Sequence, residues 1–122
     1  MIKRLISASM LSIALLMPVQ ALADTPLVVI RFNQRQVNYQ QMLYSAVSRA
    51  VEANPDVMFD LVVSAPRGED AYSSGNYADI ANARGNEVNR SLQSMGVPAS
   101  RISQRSEGGS ESGSPEVRIF VH

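Results

Sequence analysis

The sequence has no cysteine, and it has one lysine and one histidine in 122 residues. Without cysteine, disulfides, thiolate metal sites and a lipid-modified N-terminal cysteine are all excluded. The lysine is Lys3, so the rest of the chain offers neither a Schiff-base lysine nor a phosphate-loop lysine. The histidine is His122, and a nucleophile–His–acid triad would have to use that last residue. We therefore expect a protein that is not an enzyme and needs no cofactor.

The N-terminal segment has the pattern of a secretory signal peptide. Lys3 and Arg4 precede the apolar run Leu5 to Met17, and Ala21 to Ala23 form a small-x-small cleavage site. An uncleaved membrane anchor is the alternative, but the apolar run is shorter than a bilayer span requires. We expect a signal peptide over residues 1–23 and an exported domain over 24–122, with no transmembrane segment after cleavage.

The charge balance argues against polyanionic partners. Lys3 and Arg4 are two of eleven basic residues, so nine arginines face eleven acidic residues in 24–122, a net charge close to −2. This balance does not indicate binding to nucleic acid or to an anionic membrane surface. The acidic clusters at Glu69-Asp70 and Glu107–Glu111 have neither a companion histidine nor the spacing of a calcium loop. They are interpreted as solvated charges, and no metal site is expected.

Hydrophobic periodicity in residues 24–122 predicts the element order β-α-β-α-β-β. Helices that alternate with strands imply at least one parallel strand pair joined by a helical crossover. The Gly- and Ser-rich stretch 105–114 is interpreted as a mobile hairpin loop between the last two strands. The predicted fold class is α+β, a two-layer βαβαββ sandwich with both helices on one face of a mixed sheet. The predicted strands are 27–32, 57–64, 97–104 and 117–122; the first helix is 39–53 with Asn38 as its N-cap, and the second follows a loop at 65–76 and stops at Gly96.

The second helix has an apolar face that is interrupted at two adjacent positions. The apolar residues on that face are Ile80, Ala81, Val88, Leu92 and Met95. Arg84 falls within the apolar arc, where a guanidinium is costly without an acidic partner. Gly85 follows it, in a helix interior where glycine costs about 1 kcal/mol relative to alanine. Violations that occur together tend to mark a functional or strained site.

Arg84 and the loop 67–70 are therefore the candidate site. This loop joins the second strand to the second helix, so its acids, the first N–H groups of the helix and Arg84 can converge, and such a site suits a carboxylate ligand. The alternative is an internal salt bridge from Arg84 to Glu69, Asp70 or Asp79. Two nearby tyrosines either line a groove or pack at its edge. They are Tyr72 and Tyr77.

Several positions give the chain a family resemblance. In the segment 76–102 they are Ile80, Arg84, Val88, Leu92, Gly96-Val97-Pro98 and Arg101-Ile102. This segment resembles the signature helix of the OmpA-like C-terminal domain. Phe32, Asn54-Pro55, Glu107-Gly108 and the closing strand 118–121 fit the same family in order. The resemblance covers essentially all of residues 24–122, and it implies the βαβαββ sandwich.

The resemblance also implies a function, which is non-covalent binding of diaminopimelate-type peptidoglycan in the bacterial periplasm. In the family, an Asp in the loop after strand two and the helix Arg hold the diaminopimelate of the stem peptide. Arg84 stands at the Arg position. Counting back from Arg84 places the family's Asp near Glu69, whereas counting forward from the strand places it on Gly68.

Two functional hypotheses follow. In the first, Arg84 binds a ligand carboxylate, Asp70 or Glu69 binds the ligand ammonium, and Tyr72 or Tyr77 walls the groove. In the second, the domain is a structural component of an envelope-spanning secretion or pilus assembly that keeps the fold, has lost peptidoglycan binding and binds other proteins.

Overall fold

The computed structural model describes residues 25–68, 71–110 and 113–122. The predicted signal peptide, residues 1–23, and two of the predicted site residues, Glu69 and Asp70, lie outside these ranges. The described residues form helices α1 (Gln40–Ala53) and α2 (Ala71–Ser94), strands β1 (Val28–Arg31), β2 (Phe59–Pro66), β3 (Ile102–Ser110) and β4 (Glu116–Val121), and a 3-10 turn at Ala99–Arg101 before β3.

The strands form one mixed sheet in the order β1-β4-β2-β3. β4 pairs antiparallel with both β1 and β2, while β2 pairs parallel with β3 across the α2 crossover. The predicted parallel pair is confirmed, but the predicted hairpin of the last two strands is wrong, because β2 lies between them. The side chains explain this order. β4 fully buries Val117 and Ile119, as an interior strand does, whereas β3 points the polar Gln104 and Ser106 at α2.

Both helices pack on the same face of the sheet, as the sequence predicts. The residues of α1 that reach the core are Leu43, Ala46 and Val47, and those of α2 are Ala81, Val88 and Leu92. The strands contribute their alternate residues, among them Ile30, Phe59, Leu61, Val63, Val117 and Ile119. The predicted α+β sandwich is therefore the observed fold, and its core lies between one helical layer and one sheet.

Four local predictions are wrong. Helix α2 begins at Ala71, so part of the predicted loop 65–76 is helical. β3 begins at Ile102, so the first five residues of the predicted strand 97–104 are not strand and include the 3-10 turn. β3 continues to Ser110, so the first part of the predicted loop 105–114 is strand. The polar sequence of this strand misled the prediction, because side-chain hydrogen bonds to α2 replace apolar contacts there: Asn89 donates to Gln104, Gln104 donates to Asn86, and Ser106 donates to Asn82. Helix α1 is capped at Tyr39 without a side-chain hydrogen bond, so Asn38 is not its N-cap.

Candidate functional site

An open groove of about 510 Å³ lies where the ends of β1 and β2 meet the first half of α2. Arg84 and Tyr77, two of the predicted site residues, line it together. The full lining is Phe32, Asn33, Gln34, Pro66, Arg67, Tyr77, Ile80, Arg84, Gly113, Ser114 and Pro115. Two of these residues, Arg67 and Arg84, are charged, and both are arginines, so the groove suits an anionic group.

Ile80 departs from the predicted apolar face of α2. Its side chain is 45% exposed, whereas Ala81, one position on, is 2% exposed. Ile80 lines the groove, which accounts for its exposure. Ile80 therefore offers an apolar contact to a ligand.

Gly85 explains how α2 comes so close to the sheet. A Cβ atom at this position would lie 2.4 Å from Cγ2 of Val63 and 3.0 Å from Nε2 of Gln104. A side chain of any size would therefore push the helix away from β2 and β3. The glycine that interrupts the predicted apolar face is therefore required by packing, and it allows α2, with Arg84, to lie close to the sheet.

Arg84 is held by three contacts with described residues. Its guanidinium carbon lies 4.7 Å from the centroid of the Phe32 ring, within the range of a cation–π interaction. Nη1 donates to Oε1 of Glu87 at 3.1 Å, and Nη2 donates to the carbonyl oxygen of Arg35 at 2.8 Å. The side chain remains 25% exposed. A guanidinium has more N–H donors than these contacts use, so Arg84 keeps donors for a ligand.

Glu87 is itself bound from the other helix. The hydroxyl of Tyr39 donates to Oε2 of Glu87 at 2.7 Å, and the Tyr39 ring packs edge-on against Phe32 with centroids 5.7 Å apart. Burial, and then the hydrogen bond to Glu87, raise the pKa of Tyr39 to about 12. The phenol therefore stays protonated and donates throughout the neutral pH range.

The acid that pairs with Arg84 in the described residues is Glu87, one turn along the same helix, and not Asp79. The predicted alternatives Glu69 and Asp70 lie outside the described residues, and their part in the site stays a prediction. Tyr72 lies near the start of α2, and its role also stays a prediction.

Three contributors to this site were not predicted from the sequence: Phe32, Tyr39 and Glu87. The i,i+3 spacing of Arg84 and Glu87 was a usable signal, because residues three apart are neighbours on a helix surface. Arg67, the first residue of the predicted site loop 67–70, does line the groove. The contacts of Phe32 and Tyr39 with the groove residues depend on tertiary packing, so no local sequence pattern predicts them.

A second depression of about 480 Å³ lies between α1 and the α2–β3 connection. Tyr44, Val51, Met95 and Arg101 are among its lining residues. Arg101 is bound by its own neighbours, since it donates to the carbonyl of Pro55 and pairs with Asp56 at 3.2 Å. The Arg84 groove, with two arginines in its lining, is the better candidate for recognition of a charged ligand.

Two further observations concern metals and membranes. Within the described ranges, no three His, Asp or Glu side chains cluster as a metal site would require. His122 lies 3.1 Å from a carboxylate oxygen of Asp60, and the same carboxylate accepts a hydrogen bond from Ser103. The carboxylate therefore lies between the hydroxyl and the imidazole, which is not the order of a nucleophile–His–acid triad. In the part of the chain that the structure describes, neither helix combines the length and apolar character of a membrane span.

Comparison with known proteins identifies a similar fold. No family model matches the chain, and no curated protein matches its sequence. Among solved structures, it is similar to the OmpA-like domain of FopA1 from Francisella tularensis subsp. tularensis SCHU S4. The TM-score is 0.59 at 8% identity, over 76% of this chain and 70% of that chain. At this identity the likeness shows the fold alone: two helices packed on a mixed four-stranded sheet, as in an OmpA-like domain.

Proposed function

We propose that this protein is exported to the periplasm by a cleaved signal peptide and associates non-covalently with peptidoglycan through the Arg84 groove. The observation that carries the proposal is the placement of Arg84, which is fixed by Phe32, Glu87 and the Arg35 carbonyl yet remains 25% exposed at an open groove. The OmpA-like fold supports the choice of ligand. Neither this proposal nor its alternative involves a catalysed reaction or a cofactor.

In this proposal the ligand is the stem peptide of diaminopimelate-type peptidoglycan. Arg84 donates its remaining N–H groups to a ligand carboxylate, an interaction that is shorter and stronger than a neutral hydrogen bond. Tyr77 and Ile80 contact the aliphatic part of the ligand, and Arg67 adds positive charge to the groove lining. Glu69 or Asp70 would take the ligand ammonium.

Sedimentation with purified sacculi tests the proposal. We expect the wild-type protein to pellet with diaminopimelate-type sacculi and Arg84→Ala to reduce the bound fraction at least tenfold. Arg90→Ala is the matched control, because Arg90 is an exposed arginine on the same helix and does not line the groove. Thermal melting of each variant separates lost binding from lost folding. Undiminished binding by a folded Arg84→Ala variant would exclude this site.

The alternative is a structural component of an envelope-spanning secretion or pilus assembly that no longer binds peptidoglycan. The observation that favours it is the internal use of Arg84, whose bonds to Glu87 and the Arg35 carbonyl also tie α2 to the segment after β1. In that case the wild-type protein would stay in the supernatant with sacculi. It would instead be recovered with one defined envelope complex after cross-linking in cells, and Arg84→Ala would lower stability without changing sacculus binding.

A further inference from the structure

The contacts around Arg84 form a chain that begins on the other helix. Tyr39, at the start of α1, donates to one oxygen of Glu87, and the other oxygen of Glu87 accepts from Arg84. Phe32, after β1, contacts both ends of this chain, since its ring lies under the guanidinium and against Tyr39. The β1–α1 connection, which carries Phe32 and Tyr39, and the distant helix α2 therefore meet to fix one side chain.

The position of Glu87 separates it from any bound ligand. Glu87 does not line the groove, although Arg84 does. Its two oxygens are occupied by Tyr39 and Arg84, both at hydrogen-bonding distance. The carboxylate therefore binds the guanidinium on the side away from the groove, and the groove side of Arg84 faces solvent.

Arginine is a long side chain, and its freedom must be lost when a ligand binds. If the guanidinium is already ordered, binding loses less entropy, and affinity rises without any new contact. The planar guanidinium of Arg84 is restrained on its face by Phe32 and on its edges by Glu87 and the Arg35 carbonyl. This is the arrangement that preordering requires.

We propose that Tyr39 and Glu87 are positioning residues, which order the Arg84 guanidinium before a ligand carboxylate arrives. They raise the affinity of the groove although neither faces it. This inference rests on the proposed function for its binding readout, but the order of Arg84 is measurable without any ligand. A phenol is protonated at neutral pH in any case, so Tyr39 is a donor there, and its raised pKa of about 12 extends that range upwards.

The test compares two conservative variants with two matched controls. Tyr39→Phe removes the hydroxyl but keeps the ring against Phe32, and Glu87→Gln removes the charge but keeps the shape. Tyr44→Phe removes a hydroxyl from an exposed tyrosine of the same helix, and Asp56→Asn breaks an arginine pair remote from the groove. The ligand-free readout is the Nε–H signal of Arg84 in a ¹⁵N NMR spectrum, assigned by its loss in Arg84→Ala. The binding readout is sedimentation with diaminopimelate-type sacculi.

We expect Tyr39→Phe and Glu87→Gln each to weaken sacculus binding about three- to tenfold and to lower the heteronuclear NOE of the Arg84 Nε–H group. Both controls should match the wild type in both measurements. A merely structural role would lower the melting temperature and leave the Arg84 signal of the folded protein unchanged. Should Tyr39→Phe fail to fold, Glu87→Gln alone decides the result, because Glu87 is partly exposed.

The outcomes separate the two proposals. If wild-type protein does not bind sacculi, the proposed function fails, and the Arg84 signal still decides whether Tyr39 and Glu87 order the side chain. If Arg84→Ala abolishes binding while Tyr39→Phe and Glu87→Gln bind as the wild type does, the positioning role is overturned. It is equally overturned if the Arg84 signal in both variants stays as ordered as in the wild type.

Discussion

Arginine–glutamate ion pairs lie on both faces of the sheet, and they differ in which partner is buried. We call Tyr39, Arg84 and Glu87 the groove cluster, on the helical side, and Arg31, Glu116 and Arg118 the sheet-face cluster, on the opposite face of the sheet. In the sheet-face cluster the side chain of Glu116 is 4% exposed and lies between Nε of Arg31 at 2.9 Å and Nε of Arg118 at 3.3 Å. In the groove cluster the side chains of Arg84 and Glu87 are 25% and 40% exposed.

The two clusters differ in which side chain, the carboxylate or the guanidinium, is stabilised by its neighbours. A buried carboxylate is costly unless it is fully paired, so on the sheet face two arginines are used to stabilise Glu116. In the groove cluster a tyrosine and a carboxylate are used to hold one arginine, and that arginine keeps free donors beside a groove. Arg31 and Arg118 are themselves 60% and 39% exposed, but they flank a buried acid on the open face of the sheet, whereas Arg84 lines a groove. Neither an arginine–glutamate contact nor the exposure of the arginine is therefore enough to mark a candidate site, and what separates the two clusters is the groove beside Arg84.

The largest predicted effect is on the groove cluster and depends on pH. The pKa of Tyr39 is raised from 10.0 to about 12 in the folded protein, first by burial and then by Glu87. The unfolded chain therefore ionises this phenol at lower pH than the folded chain does. Its contribution to stability is complete below pH 10 and is lost as the pH rises towards 12, by about 1.4 kcal/mol per pH unit.

Chemical denaturation of wild type and Tyr39→Phe between pH 8 and pH 12 measures this loss. The difference between the two free energies of unfolding isolates Tyr39 from the other tyrosines. Lysine does not complicate this range, because Lys3 is the one lysine of the sequence. A difference that stays constant up to pH 12 would show that the phenol is not held protonated by the fold.

The next prediction concerns the sheet-face cluster. We expect Glu116→Gln to lower the free energy of unfolding by about 2 kcal/mol, because two hydrogen bonds to a buried charged group are weakened. Sacculus binding should not change, since Glu116 lies on the face away from the helices. Urea denaturation and sedimentation measure the two effects. Weakened sacculus binding in a variant that is still folded would mean that the two clusters are coupled.

Gly85 provides a smaller change that affects the groove side. Gly85→Ala places a Cβ atom 2.4 Å from Cγ2 of Val63. Overpacking typically costs 1–3 kcal/mol, and the gain in helix propensity offsets about 1 kcal/mol of it, so we expect a net loss of about 1 kcal/mol. In a Val63→Ala background the clash is relieved, and adding Gly85→Ala should then be neutral or stabilising. If Gly85→Ala is equally destabilising in both backgrounds, the close approach of α2 to β2 is not the cause.

Much of the fold was predictable because its signals are local. The alternation of Phe59, Leu61 and Val63 predicts the buried face of β2, and the stripe of Leu43, Ala46 and Val47 predicts the buried face of α1. The position of β4 was not predictable in this way, because strand order depends on contacts between distant segments. A long Gly- and Ser-rich stretch suggested a hairpin, yet the burial of β4 was better satisfied between β1 and β2.

The site was predictable only in part, for the same reason. Arg84 was identified because a guanidinium on an apolar helix face needs an explanation. Its supports were not identified, because Tyr39 and Phe32 reach it only after α1 and β1 have packed beside α2. Glu87 had the spacing of a helical ion pair, but that spacing is common on helix surfaces and marks no function by itself.

The smallest predicted effect concerns an exposed arginine–glutamate pair on β3. Arg105 and Glu107 pair at 2.9 Å on β3, with side chains that are 63% and 45% exposed. Exposed pairs of this kind contribute at most about 1 kcal/mol, and often less, because water screens both charges. We expect Glu107→Gln to change the free energy of unfolding by less than about 0.5 kcal/mol, measured by urea denaturation beside Glu116→Gln. Equal effects of the two variants would mean that burial of the carboxylate does not set the contribution of such a pair, and the contrast between buried Glu116 and exposed Glu107 would then fail.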